Sequence, residues 1–432
     1  MNPSLVAMSP QISDLPPEVI ETIVCQLDRR DVGNLRLVSR SIEAAASQAH
    51  YKTYFIAKMI KLEPTAISKF AAVMQHSRLA GLLQNLKLIG TERLQEECFA
   101  PEDADTLLAA FRSLCHFHKK SNQYCLRSLT AGITRDTVTP QKDISHPASR
   151  SAAGAQAVRI ALRVVNDSDL PIEKLHLLYN SLGCSVPCCV FEHLLRSVQP
   201  SPNWSRLRCL TLSLTHHAKL VTEAGPEDTD NETIERPPNE SVEAGTRRVQ
   251  ALVDFFSLIS NIEELSLRWS GRQLFSERQP PANIVEKHWF NQVSLAVKFP
   301  KLKQVELRGF HITKATLQRL LTTSSSLQHV HLEYIRLTGS LRPILDTLTS
   351  PNTAITYLYL DDIYEHRLVH FNIQGSPKFP YMGHVPGPST VLREGDDVRL
   401  PLEYGFASDR PLGSPQATNL RNKRRVEFGY WW

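Results

Sequence analysis

The sequence has no hydrophobic run long enough to cross a membrane. The most apolar stretch, VQALVDFFSLISNI, is interrupted by Asp254 and falls short of the roughly 18 apolar residues that a spanning helix needs. The first residues, MNPSLVAMSPQISD, have no basic start followed by an apolar core, so they do not resemble a secretory signal. We therefore expect no membrane partner and a location in the cytoplasm, the nucleus or both.

The sequence also lacks the short motifs that mark common catalytic and nucleotide-binding sites. None of the strings G-x-x-x-x-G-K-S/T, G-x-G-x-x-G, G-x-S-x-G and H-E-x-x-H occurs. The 432 residues include only 18 glycines, which is few for loops that cradle phosphate groups. We therefore predict a protein without catalytic residues and without a cofactor.

The eight cysteines are not spaced for a disulfide framework, and no C-x-x-C pair occurs. The cluster from Cys184 to Cys189 has no second ligand pair of the kind that a structural zinc site needs. Cys115, His116 and His118 point in different directions on a helix. We therefore expect no metal ion and interpret the cysteines as buried thiols.

Charge of one sign is not concentrated along the chain. The formal net charge is +5 over 432 residues, without the basic stripe that nucleic-acid binders show. Nucleic acid is therefore not an expected partner. A short basic run at residues 421–425 is of a type that aids nuclear entry.

One segment is strongly acidic. Residues 221–245, VTEAGPEDTDNETIERPPNESVEAG, contain eight acidic residues and one basic residue, and this composition predicts a disordered insertion. Asp228 to Asp230 resemble the start of a calcium loop. Thr233 and Asn239 stand where that loop requires Gly and Glu, so we expect no calcium binding.

The N-terminal stretch LPPEVIETIVCQL, residues 15–27, has the pattern of an amphipathic helix. Val19, Ile20, Ile23, Val24 and Leu27 form one apolar stripe, and more aliphatic residues follow up to position 42. A unit of fewer than about 40 residues seldom buries enough surface to be stable alone. Its apolar surface must therefore meet either the rest of the chain's core or a partner.

A short aliphatic pattern recurs along the chain: an aliphatic residue, two others, an aliphatic, one other and a third aliphatic. It occurs at Leu83/Leu86/Leu88, Ile172/Leu175/Leu177, Leu207/Leu210/Leu212, Ile262/Leu265/Leu267, Leu302/Val305/Leu307, Leu327/Val330/Leu332 and Ile355/Leu358/Leu360, and more weakly at Leu126/Leu129/Ala131. Helical stripes lie between the later triplets, as at residues 190–198, 249–259 and 341–348. Short strands alternating with helices predict a stacked β/α solenoid of irregular leucine-rich repeats. An irregular α/β domain with parallel strands is the alternative.

The N-terminal stretch resembles the F-box motif. The resemblance covers residues 12–50 and rests on Leu15-Pro16-Pro17-Glu18, the turn LDRRDV and the following LRLVSRSI. Ile42 and then alanines stand where the family often has an aromatic residue. The resemblance implies a three-helix module that docks on a Skp-type adaptor and through it on a cullin–RING ubiquitin ligase. It assigns adaptor contact, or its support, to Leu15, Pro16, Ile20, Ile23, Leu27, Val32, Leu35 and Val38.

These patterns predict five regions, in an α/β chain that begins with a three-helix F-box. The predicted regions are a disordered N-terminus at 1–11, the F-box at 12–50, a helical linker at 51–82, irregular leucine-rich repeats at 83–365 and an extended tail at 366–432. The linker, with its segment HSRLA, is similar to the connection between F-box and repeats in many fungal F-box proteins.

Strand alternation predicts where a substrate binds. Leucines point into the solenoid core and the intervening residues onto an open face. Because Trp, Tyr and Arg dominate interface hot spots, we predict a protein substrate at Arg268, Trp269, Arg308, His331, Tyr334, Tyr357 and Tyr359. The loops after the strands are the alternative substrate site.

The sequence therefore predicts a non-catalytic, substrate-recognition subunit of a Skp/cullin/F-box ubiquitin ligase, with the adaptor, the cullin and an unknown protein substrate as partners. An interaction scaffold that binds the adaptor outside any ligase is the main alternative. A hydrolase hidden in the β/α region would require an acid/base pair that the sequence does not display.

Overall fold

The computed structural model describes residues 12, 15–44, 46, 55–75, 80–91, 101–121, 126–133, 147–178, 184–197, 201–216, 241–270, 281–372 and 389–406. All structural statements below concern these residues. The predicted disordered N-terminus at 1–11 lies outside them.

The N-terminal module consists of short helices around a small core. Helix α1, Pro17–Gln26, begins with proline in its first turn, and helix α2, Arg29–Arg36, is capped by the Asp28 side chain, which accepts from the Asp31 amide. A third helical segment covers residues 40–44. The buried core of this module consists of Ile20, Val24, Val32, Ile42 and Ala46.

The rest of the described chain is built on one long sheet. Its strands are Ala57–Lys61 (β1), Asn85–Gly90 (β2), Ser128–Ile133 (β3), Lys174–Leu177 (β4), Val186–Pro187 (β5), Cys209–Thr215 (β6), Glu264–Trp269 (β7), Gln304–Arg308 (β8), His329–Glu333 (β10), Tyr357–Asp361 (β12) and Thr390–Glu394 (β14). Two small two-stranded sheets add His311–Thr313 (β9) with Arg336–Thr338 (β11), and Val369–Phe371 (β13) with Tyr404–Phe406 (β15).

The strands of the large sheet stand in the order of the chain. The order is β1-β2-β3-β4-β6-β7-β8-β10-β12-β14, with β5 paired to β6. Among the described strands of this sheet, every pair from β1 to β12 is parallel, and the β12–β14 pair is antiparallel. Successive parallel neighbours need a crossover connection, and helices supply most of these connections.

The crossover helices bury their apolar sides against one face of the sheet. They are Pro64–Met74 (α3), Pro101–Ser121 (α4), Pro147–Asp167 (α5), Cys189–Ser197 (α6), Val242–Leu258 (α7), Pro281–Lys287 (α8), Trp289–Ala296 (α9), Lys314–Thr323 (α10) and Arg342–Leu348 (α11). One continuous core cluster runs from Ile60 to Leu402 through strands and helices. Large aromatic side chains fill its middle, where Phe255 and Phe256 of α7 meet Trp204, Trp289 and neighbouring rings.

Strict register aligns the aliphatic triplets across the sheet. Leu175, Leu210, Leu265, Val305, Val330 and Leu358 are successive partners at one inward position, and Leu177, Leu212, Leu267, Leu307, Leu332 and Leu360 at the next. All of them are buried. All eight predicted triplets therefore end in a strand of the sheet, including the weak one, whose residues Leu129 and Ala131 lie in β3.

A second regularity follows the strands β8, β10 and β12. Gly309, Tyr334 and Asp362 each come directly after one of these strands and each have a positive φ, between 49° and 80°. The Gly309 amide donates to the Glu333 carbonyl and the Tyr334 amide to the Asp361 carbonyl. The chain then forms the short parallel strands β9 and β11. The last three units thus repeat in backbone conformation as well as in sequence.

The large sheet extends into both the predicted helical linker and the predicted extended tail. Within the predicted helical linker 51–82, residues 57–61 form β1, which pairs with β2 in parallel. Within the predicted extended tail 366–432, β14 continues the large sheet, because Val391 pairs opposite Leu360 and is buried. The basic run 421–425 lies outside the described residues.

The acidic insertion and the cysteines also need correction. Helix α7 begins at Val242, with the Ser241 side chain accepting from the Ala244 amide, so the insertion cannot extend to residue 245. Residues 217–240 lie outside the described part, as do Cys98 and Cys125. Cys25 is exposed, because the inward face of α1 consists of Ile20, Val24 and Leu27. The other five described cysteines are buried, as expected.

In the described part of the chain, no helix combines the length and the apolarity that crossing a membrane requires.

Gly245 lets two helices approach closely, and this gives a test of the packing. A Cβ at Gly245 in α7 would lie 2.7 Å from the Ala282 carbonyl oxygen and 2.9 Å from its Cα in α8. At Gly33 in α2, a Cβ would meet nothing within 4 Å. Helix propensity alone favours alanine over glycine by about 1 kcal/mol at both sites.

We therefore expect opposite signs for two matched substitutions, measured by chemical denaturation. Gly33→Ala should stabilise the N-terminal module slightly. Gly245→Ala should destabilise the large domain by about 1–3 kcal/mol, because backbone atoms cannot give way as side chains can. Stabilisation by both substitutions would show that α7 and α8 are not in close contact.

His311 makes stability depend on pH. Burial, and then the charges of Lys287 and Arg336, lower its pKa from 6.5 to about 2. As the pH drops below about 6.5, His311 becomes protonated in the unfolded chain but stays neutral in the folded protein. The free energy of unfolding is therefore highest above that pH and falls as the pH drops below it.

We expect His311→Gln to remove about 2 kcal/mol of the stability loss between about pH 7 and pH 5, measured from denaturation at each pH. Lowered pKa values of His176 and His288, also caused mainly by burial, contribute further loss. His366→Gln is the matched control, since His366 is exposed. An equal pH dependence in all three proteins would contradict the burial of His311.

Candidate functional site

The first candidate surface lies on the N-terminal module. We call the side chains of Pro16, Val19, Ile23, Leu37 and Val38 the N-terminal apolar surface. Leu37 is 85% exposed, Val38 65% and Val19 42%. Pro16 is exposed as well, and Ile23 is half-buried. Single exposed aliphatic residues are common, but four exposed ones within a module of this size leave its apolar surface only partly covered.

Helical spacing explains which aliphatic residues of α1 face outward. Ile20, Val24 and Leu27 follow one another at intervals of four and three and contact the module's core. Val19 and Ile23, one position earlier in each turn, lie beside that stripe. Leu37 and Val38 are exposed for a different reason, since they form the turn after α2, with the Leu37 amide donating to the Asn34 carbonyl.

The structure thus separates the residues predicted to contact the adaptor. Ile20 and Val32 are core residues, and Leu15, Leu27 and Leu35 are partly buried against that core. Pro16 and Val38 remain exposed, with Ile23 between the two classes. Sequence reasoning missed Val19 and Leu37 as surface residues, because an aliphatic pattern does not tell the inward from the outward member of a pair.

The second candidate surface is the face of the large sheet opposite the crossover helices, which we call the open face. It is formed by the side chains at the outward positions of the strands. In its C-terminal half, from β7 to β14, these are Glu264, Ser266, Arg268, Gln304, Glu306, Arg308, His329, His331, Glu333, Tyr357, Tyr359, Asp361, Thr390, Leu392 and Glu394. Nearly all are polar or aromatic, as alternation requires of a sheet with one wet face.

Arg308 lies at the centre of a charged network on the open face. Its guanidinium forms an ion pair with Glu306 on the same strand and lies 3.4 Å, from Nε to Oε2, from Glu333 on the next strand. The Ser266 hydroxyl hydrogen-bonds Glu306, and His331 Nε2 lies 3.3 Å from Glu333 Oε2. Three neighbouring strands are therefore joined by side chains as well as by backbone hydrogen bonds.

Aromatic and imidazole rings lie beside this network. His331 and Tyr359 are register partners with ring centroids 4.4 Å apart, and His329 stacks on Tyr357 at 5.5 Å. The Tyr359 hydroxyl donates to Asp361, at 3.3 Å. Asp361 Oδ1 accepts a 2.6 Å hydrogen bond from Thr390 in β14. The exposed Leu392 is the register partner of Tyr359.

The predicted substrate-binding residues divide between this face and the interior. Arg308, His331, Tyr357 and Tyr359 come together on the open face, and Arg268 is on the same face but only 8% exposed.

Two of the residues predicted to bind substrate, Trp269 and Tyr334, are instead buried in the interior. Trp269 is 1% exposed and lies edge-on to His216, because β7 extends to position 269 and alternation turns that residue inward. Tyr334 is 2% exposed and packs against Tyr364, because the positive φ after β10 turns the chain inward.

Buried ionisable groups elsewhere have a structural role. Glu286 of α8 is fully buried and accepts from Arg248 of α7 at 2.8 Å. Burial raises the pKa of the Cys209 thiol to about 12 and also raises the pKa of Cys188, so these thiols stay protonated and unreactive at neutral pH. Within the residues described, no group of three or more His, Cys, Asp or Glu side chains could hold a metal ion.

The Arg308 network can be tested by a double-mutant cycle. We expect Arg308→Gln to lower the free energy of unfolding by about 1–3 kcal/mol, since it removes the Arg308 guanidinium from its ion pair with the largely buried Glu306 carboxylate. Arg308→Gln combined with Glu306→Gln should cost less than the sum of the single changes. Arg399→Gln removes an exposed ion pair with Asp396 and should have almost no effect. Additive effects in denaturation would rule out the coupling.

The comparisons with known proteins identify the N-terminal module. A search of curated proteins found no match to this chain. Residues 12–52 match the family model described as F-box domain. In general, an F-box domain binds a Skp-type adaptor and through it a cullin, and proteins that carry one are typically non-catalytic subunits of SCF-type ubiquitin ligases. The N-terminal module of this chain is therefore an F-box domain.

Proposed function

We propose that the chain is the substrate-recognition subunit of an SCF-type ubiquitin ligase. In this proposal, the F-box domain docks on the Skp-type adaptor through the N-terminal apolar surface. A leucine-rich-repeat solenoid, from β1 to β14, holds a protein substrate on its open face. The F-box match carries the first part of the proposal, and the polar, aromatic C-terminal half of the open face carries the second.

The exposure pattern of the F-box domain supports adaptor docking. Leu37 and Val38 expose 85% and 65% of their surface, and burial of an aliphatic side chain contributes about 1.5–3 kcal/mol. Pro16 and Val19 add further apolar surface. Several such contacts are enough to offset the cost of association. In this assignment Ile20 and Val32 support the surface from inside, while Leu15, Ile23, Leu27 and Leu35 form its partly buried base.

The sheet topology supports a leucine-rich-repeat solenoid. Each unit adds one parallel strand beside the previous one, and two inward aliphatic positions stack along the sheet. The positive-φ residues Gly309, Tyr334 and Asp362 follow one another at 25 and 28 residues, within the period of 20–29 residues that is typical of leucine-rich repeats. Longer spacings in the N-terminal half reflect insertions between units.

The open face supports substrate binding because its side chains are already ordered. Arg308, His331 and Tyr359 are held by contacts to neighbouring strands, so a partner would immobilise few further rotamers. Solenoid proteins commonly bind partners on the surface that their strands form. Catalysis would need nothing from this chain, since holding a substrate lysine near the ubiquitin-charged enzyme raises the effective concentration of the reactants.

We expect Leu37→Asp combined with Val38→Asp to weaken binding of the purified Skp-type adaptor at least tenfold, measured by calorimetry. Each substitution removes an aliphatic contact and would place a carboxylate in a desolvated interface. Leu295→Asp is the matched control, because Leu295 is 51% exposed in α9, outside the F-box domain. Circular dichroism should show unchanged helix content in both variants.

Full affinity in the Leu37/Val38 variant would contradict the proposed docking surface. A pull-down from cells extends the test to the ligase. Wild-type protein should recover the adaptor together with the cullin, and the double variant should recover neither. Recovery of the adaptor without the cullin would instead indicate a scaffold that acts outside a ubiquitin ligase.

A further inference from the structure

Charge is divided unevenly between the two halves of the open face. In the outward positions of β1 to β6, the charged residues are Lys61, Lys87 and Lys174, and no carboxylate is present among these described positions. The outward positions of β7 to β14 carry the guanidinium groups of Arg268 and Arg308. They also carry five carboxylates, those of Glu264, Glu306, Glu333, Asp361 and Glu394.

The internal ion pairs do not neutralise this negative surplus. Arg308 interacts with both Glu306 and Glu333, and however the groups pair, these positions carry two guanidinium groups and five carboxylates. Glu264 and Glu394 are exposed, Glu264 at the first position of β7 and Glu394 at the last position of the antiparallel strand β14. The outward positions in the C-terminal half of the open face therefore carry more carboxylates than cations, while those in the N-terminal half carry lysines.

The exposed carboxylates stand at the two ends of one row of side chains. From β7 to β14 this row reads Glu264, Gln304, His329, Tyr357 and Glu394. Four inter-strand spacings separate its ends, which is about 19 Å, or roughly six residues of an extended peptide. The stacked rings of His329 and Tyr357 lie between them. Such rings accept the alkyl stems and the cationic heads of Lys and Arg.

We propose that the C-terminal half of the open face binds a basic polypeptide segment of the substrate, with Lys or Arg side chains placed at Glu264 and Glu394 and across the His329–Tyr357 pair. The inference rests on the proposed function and names the chemical class of its substrate. Charge complementarity steers association and excludes acidic partners. A nucleic acid does not fit this surface, because its phosphates would meet carboxylates.

The test selects peptides from a phage library of random dodecapeptides on the immobilised full-length chain. The most enriched peptide is then synthesised, and its affinity is measured by fluorescence anisotropy at low and high salt. Three variants are compared with wild type: Glu264→Gln with Glu394→Gln, Tyr357→Ala, and Lys61→Gln with Lys87→Gln. The last pair is the matched control, since it also removes two exposed charges from the open face.

We expect enrichment of Lys and Arg over Asp and Glu, with affinity that falls as salt rises. The Glu264/Glu394 variant should bind the selected peptide about tenfold more weakly than wild type does. The Lys61/Lys87 variant should bind it with the same affinity as wild type. Neutral or acidic peptides that lose affinity in Tyr357→Ala would overturn the inference while leaving substrate binding on this face intact. Peptides whose affinity no variant changes would overturn both.

Discussion

The stacking of aliphatic side chains in register, strand upon strand, is the constraint on which the rest of this structure depends. Each of the strands β2, β3, β4, β6, β7, β8, β10 and β12 has residues at two inward positions, such as Leu265 and Leu267 of β7, and each of these residues has its register partner on a neighbouring strand. A single strand with its helix cannot bury this surface alone. The helices on the inward face, with Phe255, Phe256 and Trp289 among them, close the core.

Because the inward positions are committed to packing, polar and charged chemistry on these strands is confined to the outward ones. A shift of register by one residue would move every inward leucine to the open face. The packing of the leucines therefore fixes the register, and the register fixes which residues lie beside Arg308. Glu306 lies two residues away on its own strand and Glu333 opposite it on the next. The open face is ordered because the core behind it is.

The sequence predicts the strands well because their signal is local. A triplet such as Leu327/Val330/Leu332 has the period of two that a strand requires within a few residues. The first strand was missed because AKMIK has only one buried side chain, Ile60. The predicted position of Trp269 was wrong because the face on which its side chain lies depends on whether β7 ends before or after it. Pairing with the strand that contains Leu214 extends β7 to this residue, and the local sequence does not reveal that pairing. Contacts between distant segments, as between β14 and β12, leave no local pattern at all.

In contrast to the large sheet, which buries its inward aliphatic side chains, the F-box domain leaves several aliphatic side chains exposed. Among its described residues, the buried core consists of Ile20, Val24, Val32, Ile42 and Ala46, while Leu37 and Val38 are exposed. The free energy gained by burying so small a core is little larger than the free-energy cost of the conformational entropy that the helices lose on folding. Any partner that covers the exposed aliphatic residues and binds only the folded module stabilises it by mass action. Binding of such a partner would therefore be linked to folding of this module, whereas the large sheet is stabilised by its own ladder.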